Sequence, residues 1–170
     1  KVACGLTWRL VGSERCIRGR AYTGRSDKWT LPDRTYSVDQ HHVRLMSLDT
    51  NAILWGAIWG ETEPQRAWLE EALGTDHRWK IAFGHHPYIS NGEHGTAGQY
   101  GGIEGLPIIS GQEIKDFFDA SVCGQVDLYF AGHDHDLQWL ESTCGTHFIV
   151  SGAGAKTRSL GEGEQPTRFE

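Results

Sequence analysis

The feature that most constrains this 170-residue chain is a repeated arrangement in which a short apolar run leads through glycine into histidine. Residues 79–83 run into Gly84-His85-His86-Pro87, and residues 126–130 run through Ala131 into Gly132-His133-Asp134-His135. Each run is of strand length and bounded by turn formers, which predicts a strand. A glycine at the exit permits a sharp turn, so each histidine leaves the end of its strand. His133 and His135 stand at i and i+2. If Asp134 is extended they share a face, and both nitrogens could reach one metal. Ligands gathered from the ends of neighbouring strands are the usual way an α/β sheet builds such a site.

The remaining elements fit the same class. An edge strand is expected over 34–38 and a firmer strand over 43–49, ending in Asp49. Residues 50–63, rich in glycine and tryptophan, read as loop. A helix follows: Thr62, Pro64 and Gln65 make a start signal, Trp68, Leu69, Ala72 and Leu73 fall at helical spacing, and Gly74 ends it. Residues 88–110 form a long glycine-rich loop carrying Asn91, His94, Tyr100 and Pro107, and loops of that length usually serve a function. A second amphipathic helix is expected over 111–122, then strands over 126–132, 135–140 and 146–151. Residues 156–170 read as a loose tail. Strand–helix–strand–helix–strand with short closing connections predicts an α/β layer fold with a partly antiparallel, mixed sheet. No repeat or interdomain linker divides the chain, so residues 1–170 read as one domain.

Composition narrows the function classes. A formal charge of −6 with no basic stripe argues against nucleic acid as partner. No run approaches the ~20 apolar residues of a membrane span. Cys4, Cys16, Cys123 and Cys144 lack the C-x-x-C spacing of a zinc ribbon or redox pair. Cys123 and Cys144 flank the closing strands and either bridge or remain free thiols.

Gly84-His85-His86-Pro87 and Gly132-His133-Asp134-His135 match the G-H-x-P and G-H-x-H motifs of the calcineurin-like metallophosphoesterases. Asp49-Thr50, Glu93-His94-Gly95, Asp136-Leu137-Gln138-Trp139 and Ser151-Gly152-Ala153-Gly154 resemble the small purple acid phosphatases of the tartrate-resistant type, as does the stretch from Lys28-Trp29 to Tyr36. The resemblance covers roughly residues 21–155 and leaves 1–20 as an unmatched lead-in. It implies the second half of a metallophosphoesterase-type layered sandwich, with mixed sheets flanked by helices. It also implies a metal-dependent phosphoester hydrolase acting on small phosphomonoesters, in which a metal-bound hydroxide attacks phosphorus. Iron paired with iron, zinc or manganese is the expected cofactor.

By that resemblance His85 and His133 ligate one metal and His135 the other, while His94 contacts the phosphate and protonates the leaving group. The D-x-H, G-D-x-x-[YD] and G-N-H-[DE] motifs, which carry the family's remaining ligands, do not occur in this chain. An N-terminal segment from elsewhere would have to supply them. Otherwise the chain is an inactive fragment or pseudo-enzyme with one metal or none, or a mononuclear three-histidine zinc protein. His86 reads as structural or substrate-binding and Asp134 as a carboxylate supporting the ligands. Asp49 either orients a ligand or caps its strand. His41, His42, His77 and His147 read as surface or packing residues. The compartment is not written in the sequence, and the family resemblance mildly favours export to a secreted or periplasmic space.

Overall fold

The order of strands in the sheet, rather than in the chain, decides where the histidines meet. The structure is a computed structural model that describes residues 31–102, 110–160 and 165–169. The expected lead-in at 1–20, Cys4, Cys16 and the Lys28-Trp29 pair lie outside these residues. The strands are β1 (Tyr36–Gln40), β2 (Val43–Ser47), β3 (Trp79–Phe83), β4 (Leu128–Ala131), β5 (Leu137–Leu140), β6 (His147–Ser151) and β7 (Thr167–Phe169). The helices are α1 (Thr50–Leu54), α2 (Gly56–Trp59), α3 (Thr62–Leu73) and α4 (Gln112–Ser121). Among the described residues the strands form one mixed sheet in the order β1-β2-β3-β4-β6-β5-β7. β2, β3, β4 and β6 run parallel, while β1, β5 and β7 pair antiparallel. The carboxyl ends of the four parallel strands therefore deliver Thr50, His85, His133 and Gly152 to one edge of the sheet. Ligand sites of open α/β sheets form at that edge.

Because strand side chains alternate, the register separates two unlike faces. Met46, Ala82, Tyr129 and Phe148 make one row across β2, β3, β4 and β6, each 1% exposed or less. Ile53 of α1, Leu69 of α3, and Ile114, Phe117 and Phe118 of α4 close over that row in a single buried cluster. In the opposite row, Ser47, Phe83, Phe130, Ile149 and Trp139 follow one another across β2, β3, β4, β6 and β5. No member of that row joins the buried core.

Several boundaries move for identifiable reasons. The edge strand runs over Tyr36–Gln40 rather than 34–38, because its register follows β2. The expected loop at 50–63 instead holds α1 and α2. Asp49 caps α1 by accepting a bond from the Ala52 amide (3.0 Å), and helices of five and four residues are too short to show a period. Gln65 does not close a capping box. Its side-chain amide pairs twice with the backbone of Asp49, tying α3 to the end of β2. At the other end of α3, Arg44 and Lys80 reach from the sheet to the last-turn carbonyls of Ala72 and Leu73 (2.8 and 2.7 Å). They supply the cations that the helix's own last turn lacks. The expected loose tail is partly a strand, since β7 pairs with β5 and Asn91 exchanges two side-chain bonds with Gln165. Cys123 and Cys144 are bridged, their Cα atoms 5.3 Å apart. Among the described residues, no helix is long and apolar enough to cross a membrane.

Candidate metal centre

The turn after β3 is built around one hydroxyl. The amides of His85 and His86 both donate to Thr50 Oγ1 (3.2 and 3.1 Å), and the same oxygen lies 2.9 Å from His86 Nδ1. A hydroxyl has two lone pairs and one proton, so with two bonds accepted its proton goes to Nδ1. His86 then carries its own proton on Nε2. Tyr129 Oη donates to the His86 carbonyl (2.8 Å) from beneath. Gly84 is required here, since a Cβ would come within 2.6 Å of the Tyr129 hydroxyl and 2.8 Å of the Thr50 methyl.

The turn after β4 is held differently. The left-handed backbone falls on His133 (φ 67°) and not on Gly132. A non-glycine residue in that region is strained, and such residues concentrate at functional sites. Asp134, 1% exposed, accepts bonds from Ser90 Oγ (2.5 Å) and from the His94 amide (2.8 Å). Ser90 Oγ in turn accepts from the Gly92 amide and from Gln138 Nε2, which fills its capacity. Gln138 also accepts from the Asn91 amide. One carboxylate thus fixes the loop that carries His94 against the turn that carries His133. Arg158 closes the outside, pairing with Glu93 and donating its amide to the His135 carbonyl.

The two turns bring the imidazoles together. His133 Nδ1 lies 3.0 Å from His85 Nε2. His85, His86 and His133 each offer a nitrogen within 4.8 Å of the others. The His94 ring centre sits 4.2 Å from that of His133, and Tyr100 backs His86 at 6.0 Å. Burial, then the surrounding imidazoles, push His86 down to about 2 and His133 down to about 3. Both rings are neutral at ordinary pH, the form in which imidazole binds a metal. Burial also pushes Asp136 up, against the bond it accepts from Gln138.

Each residue singled out in the sequence has a definite place. His85, His133 and His94 lie in the cluster, and His86 joins it. His135 stands outside the group of close nitrogens, with its Nδ1 buried and making no hydrogen bond. Asp134 supports the His94 loop, and the Asp49 carboxylate caps α1 and faces Arg34 at 3.4 Å. The roles of the Thr50 hydroxyl, Tyr129, Ser90 and Gln138 went unrecognised by sequence, although Thr50 and Gln138 stand in segments that carry the family resemblance.

No family model matches the chain. It is similar to purple acid phosphatases. Purple acid phosphatase 17 of Arabidopsis thaliana is 29% identical over 141 residues, covering 72% of this chain and 38% of that protein. Tartrate-resistant acid phosphatase type 5 of Sus scrofa is 25% identical over 153 residues, covering 79% and 41%. Purple acid phosphatase 7 of Arabidopsis thaliana reaches 38% identity over a shorter 78 residues, or 46% and 20%. The chain spans about two fifths of the length of the first two of these relatives.

Proposed function

We propose that this chain carries the histidine-bearing part of a metal-dependent hydrolase of small phosphomonoesters. One observation carries the reading: two strand-end histidines face each other nitrogen to nitrogen at 3.0 Å, beside two further imidazoles. Two ring nitrogens that close need either a proton between them or a cation in its place. The similarity to acid phosphatases supports the reaction class.

The donor set fits a transition metal. Imidazole suits zinc and iron, and the buried, unbonded Nδ1 of His135 is the kind of orphan a ligand bond would satisfy. His85 and His133, joined by His135, would hold metal, which when bound polarises phosphate oxygens and makes water acidic. His86 has a different part. With Nδ1 taken by Thr50, its Nε2–H is a donor suited to a phosphate oxygen. His94, set by Asp134 above His133, binds the phosphate and delivers a proton to the leaving oxygen. Iron with iron, zinc or manganese would need oxygen ligands as well, and we assign these to a segment outside the described residues. The Cys123–Cys144 bridge supports an oxidising compartment.

A second reading is a mononuclear zinc protein, favoured by one observation: among the described residues the close-set group is all imidazole, without a carboxylate. Elemental mass spectrometry of the purified protein, paired with hydrolysis of an aryl phosphate, separates the readings. Two metals per chain with turnover, both lost in His133→Ala, supports the hydrolase. One zinc per chain without phosphatase turnover supports the mononuclear protein. No metal and no turnover leaves an inactive fragment.

A further inference from the structure

We infer that the chain beyond β6 is a strap that sets His94 over the metal centre, with Asn91 and Arg158 as positioning residues. The inference rests on the reading of His94 as the imidazole that binds phosphate. The strap leaves β6 at Gly152, which has no room for a Cβ against the Asp134 carbonyl, so its backbone runs flat on the turn that carries His133. Further on, Arg158 joins the two sides of the site. Its amide donates to the His135 carbonyl (2.8 Å), and its guanidinium pairs with Glu93, the residue before His94. A second grip comes at Gln165. Its backbone amide donates to Asn91 Oδ1 and its carbonyl accepts from Asn91 Nδ2, both at 2.9 Å. The far end is fastened to β5: the Glu141 amide donates to the Pro166 carbonyl (2.9 Å), β7 pairs with Trp139 and Leu140, and the Arg168 guanidinium lies 5.7 Å from the Trp139 ring centre.

Asn91 and Glu93 flank Gly92, which has no room for a Cβ against the Asp134 side chain. The loop is thus pressed onto Asp134 at Gly92 and held down on either side by the strap. His94 itself is tied at its amide to Asp134 (2.8 Å) and at its carbonyl to the Gly101 amide (2.9 Å). Those bonds fix its backbone. The grips at Asn91 and Glu93 fix the direction from which the chain arrives, and so keep the ring centre 4.2 Å from that of His133. Asn91 is 4% exposed, so its two bonds are shielded from water and hold more firmly than the Arg158–Glu93 pair, both of whose side chains reach solvent. A group displaced by about 1 Å from its substrate loses much of its effect, so a hold on the neighbours of His94 is a hold on the phosphate.

Charge reversal separates positioning from simple attraction. Inorganic phosphate is titrated into the whole chain by calorimetry, and amide hydrogen exchange is followed at His94. Arg158→Glu and Glu93→Arg should each weaken phosphate binding and quicken exchange at His94 by about threefold, and the double reversal should restore both. Asn91→Ala should do the same by about tenfold, with exchange in β2, β3 and β4 unchanged. If Arg158 served by its charge alone, Glu93→Arg would bind phosphate more tightly than wild type, and that result overturns the inference. So does unaltered exchange at His94, or a double reversal that remains as weak as Arg158→Glu. A wild-type chain that fails to bind phosphate removes the reading of His94 instead, and exchange at His94 in the same variants then decides for or against the strap.

Discussion

The two histidine turns carry similar sequences, Gly-His-His-Pro and Gly-His-Asp-His, yet the fold secures them by opposite means. The turn after β3 is clamped through its backbone: Thr50 takes both amides and Tyr129 bonds the carbonyl. Its residues adopt ordinary conformations and its glycine is there for space. The turn after β4 holds His133 in a left-handed conformation and secures it through a side chain, Asp134, buried among Ser90, Gln138 and the His94 amide. The first arrangement fixes a ring by where the chain goes. The second fixes it by a polar network that can be dismantled one bond at a time, and it takes His94 along with it.

The largest effect should come from dismantling that network. Asp134→Ala removes two buried acceptor bonds and leaves a cavity, which should cost about 3 kcal/mol in urea unfolding. Hydrogen exchange should then quicken in residues 88–102 while the turn after β3 stays protected. If both turns loosen together, they are one unit and the contrast fails. Thr50→Val keeps the shape but strips the hydroxyl from the first turn. A loss of about 2 kcal/mol is expected, with the His86 ring resonances moving by NMR and those of His94 staying in place.

His133→Asn works the other way. Asparagine tolerates the left-handed region, so the metal-free protein should gain about 1 kcal/mol while metal affinity falls. A loss of stability would show that the backbone there is unstrained. The smallest effect lies at the far end of the strands and serves as a control. Hydrogen bonds from Arg44 hold the Asp39 carboxyl below its ordinary 3.8. A depressed carboxylate stabilises the fold above its unfolded value and loses that contribution as pH falls through the folded one. The small stability difference between wild type and Asp39→Asn should therefore be flat above about pH 5 and vanish on acidification below 3.8. Neither histidine turn should respond to the substitution.

Much of the fold was legible because periodicity reports burial. β2, β3, α3 and α4 follow it closely, since each packs a regular stripe into the core. α1, α2 and β7 were not legible. Two are shorter than a period can register, and β7 exists through pairing with β5 and the grip of Asn91 on Gln165, contacts that no local pattern encodes. The histidines announced themselves by spacing from strand ends. What the spacing could not show is how they are held. The Thr50 hydroxyl looks like any strand-end threonine, and its partner stands 36 positions away. Gln65 illustrates the converse: a good local signal for a helix cap that the fold uses to pin α3 to Asp49.

The wide separation of the site's partners has a kinetic consequence. Thr50 meets His86 across 36 positions, His94 meets Asp134 across 40, and His133 meets His85 across 48. None of these contacts can form by local capture. Each waits for a parallel strand pair to close a long loop, the slowest kind of event in a folding chain. The cluster should accordingly assemble late, once β3 and β4 lie side by side. Cobalt added during refolding would then acquire its visible absorption in the final phase, timing the completion of the sheet.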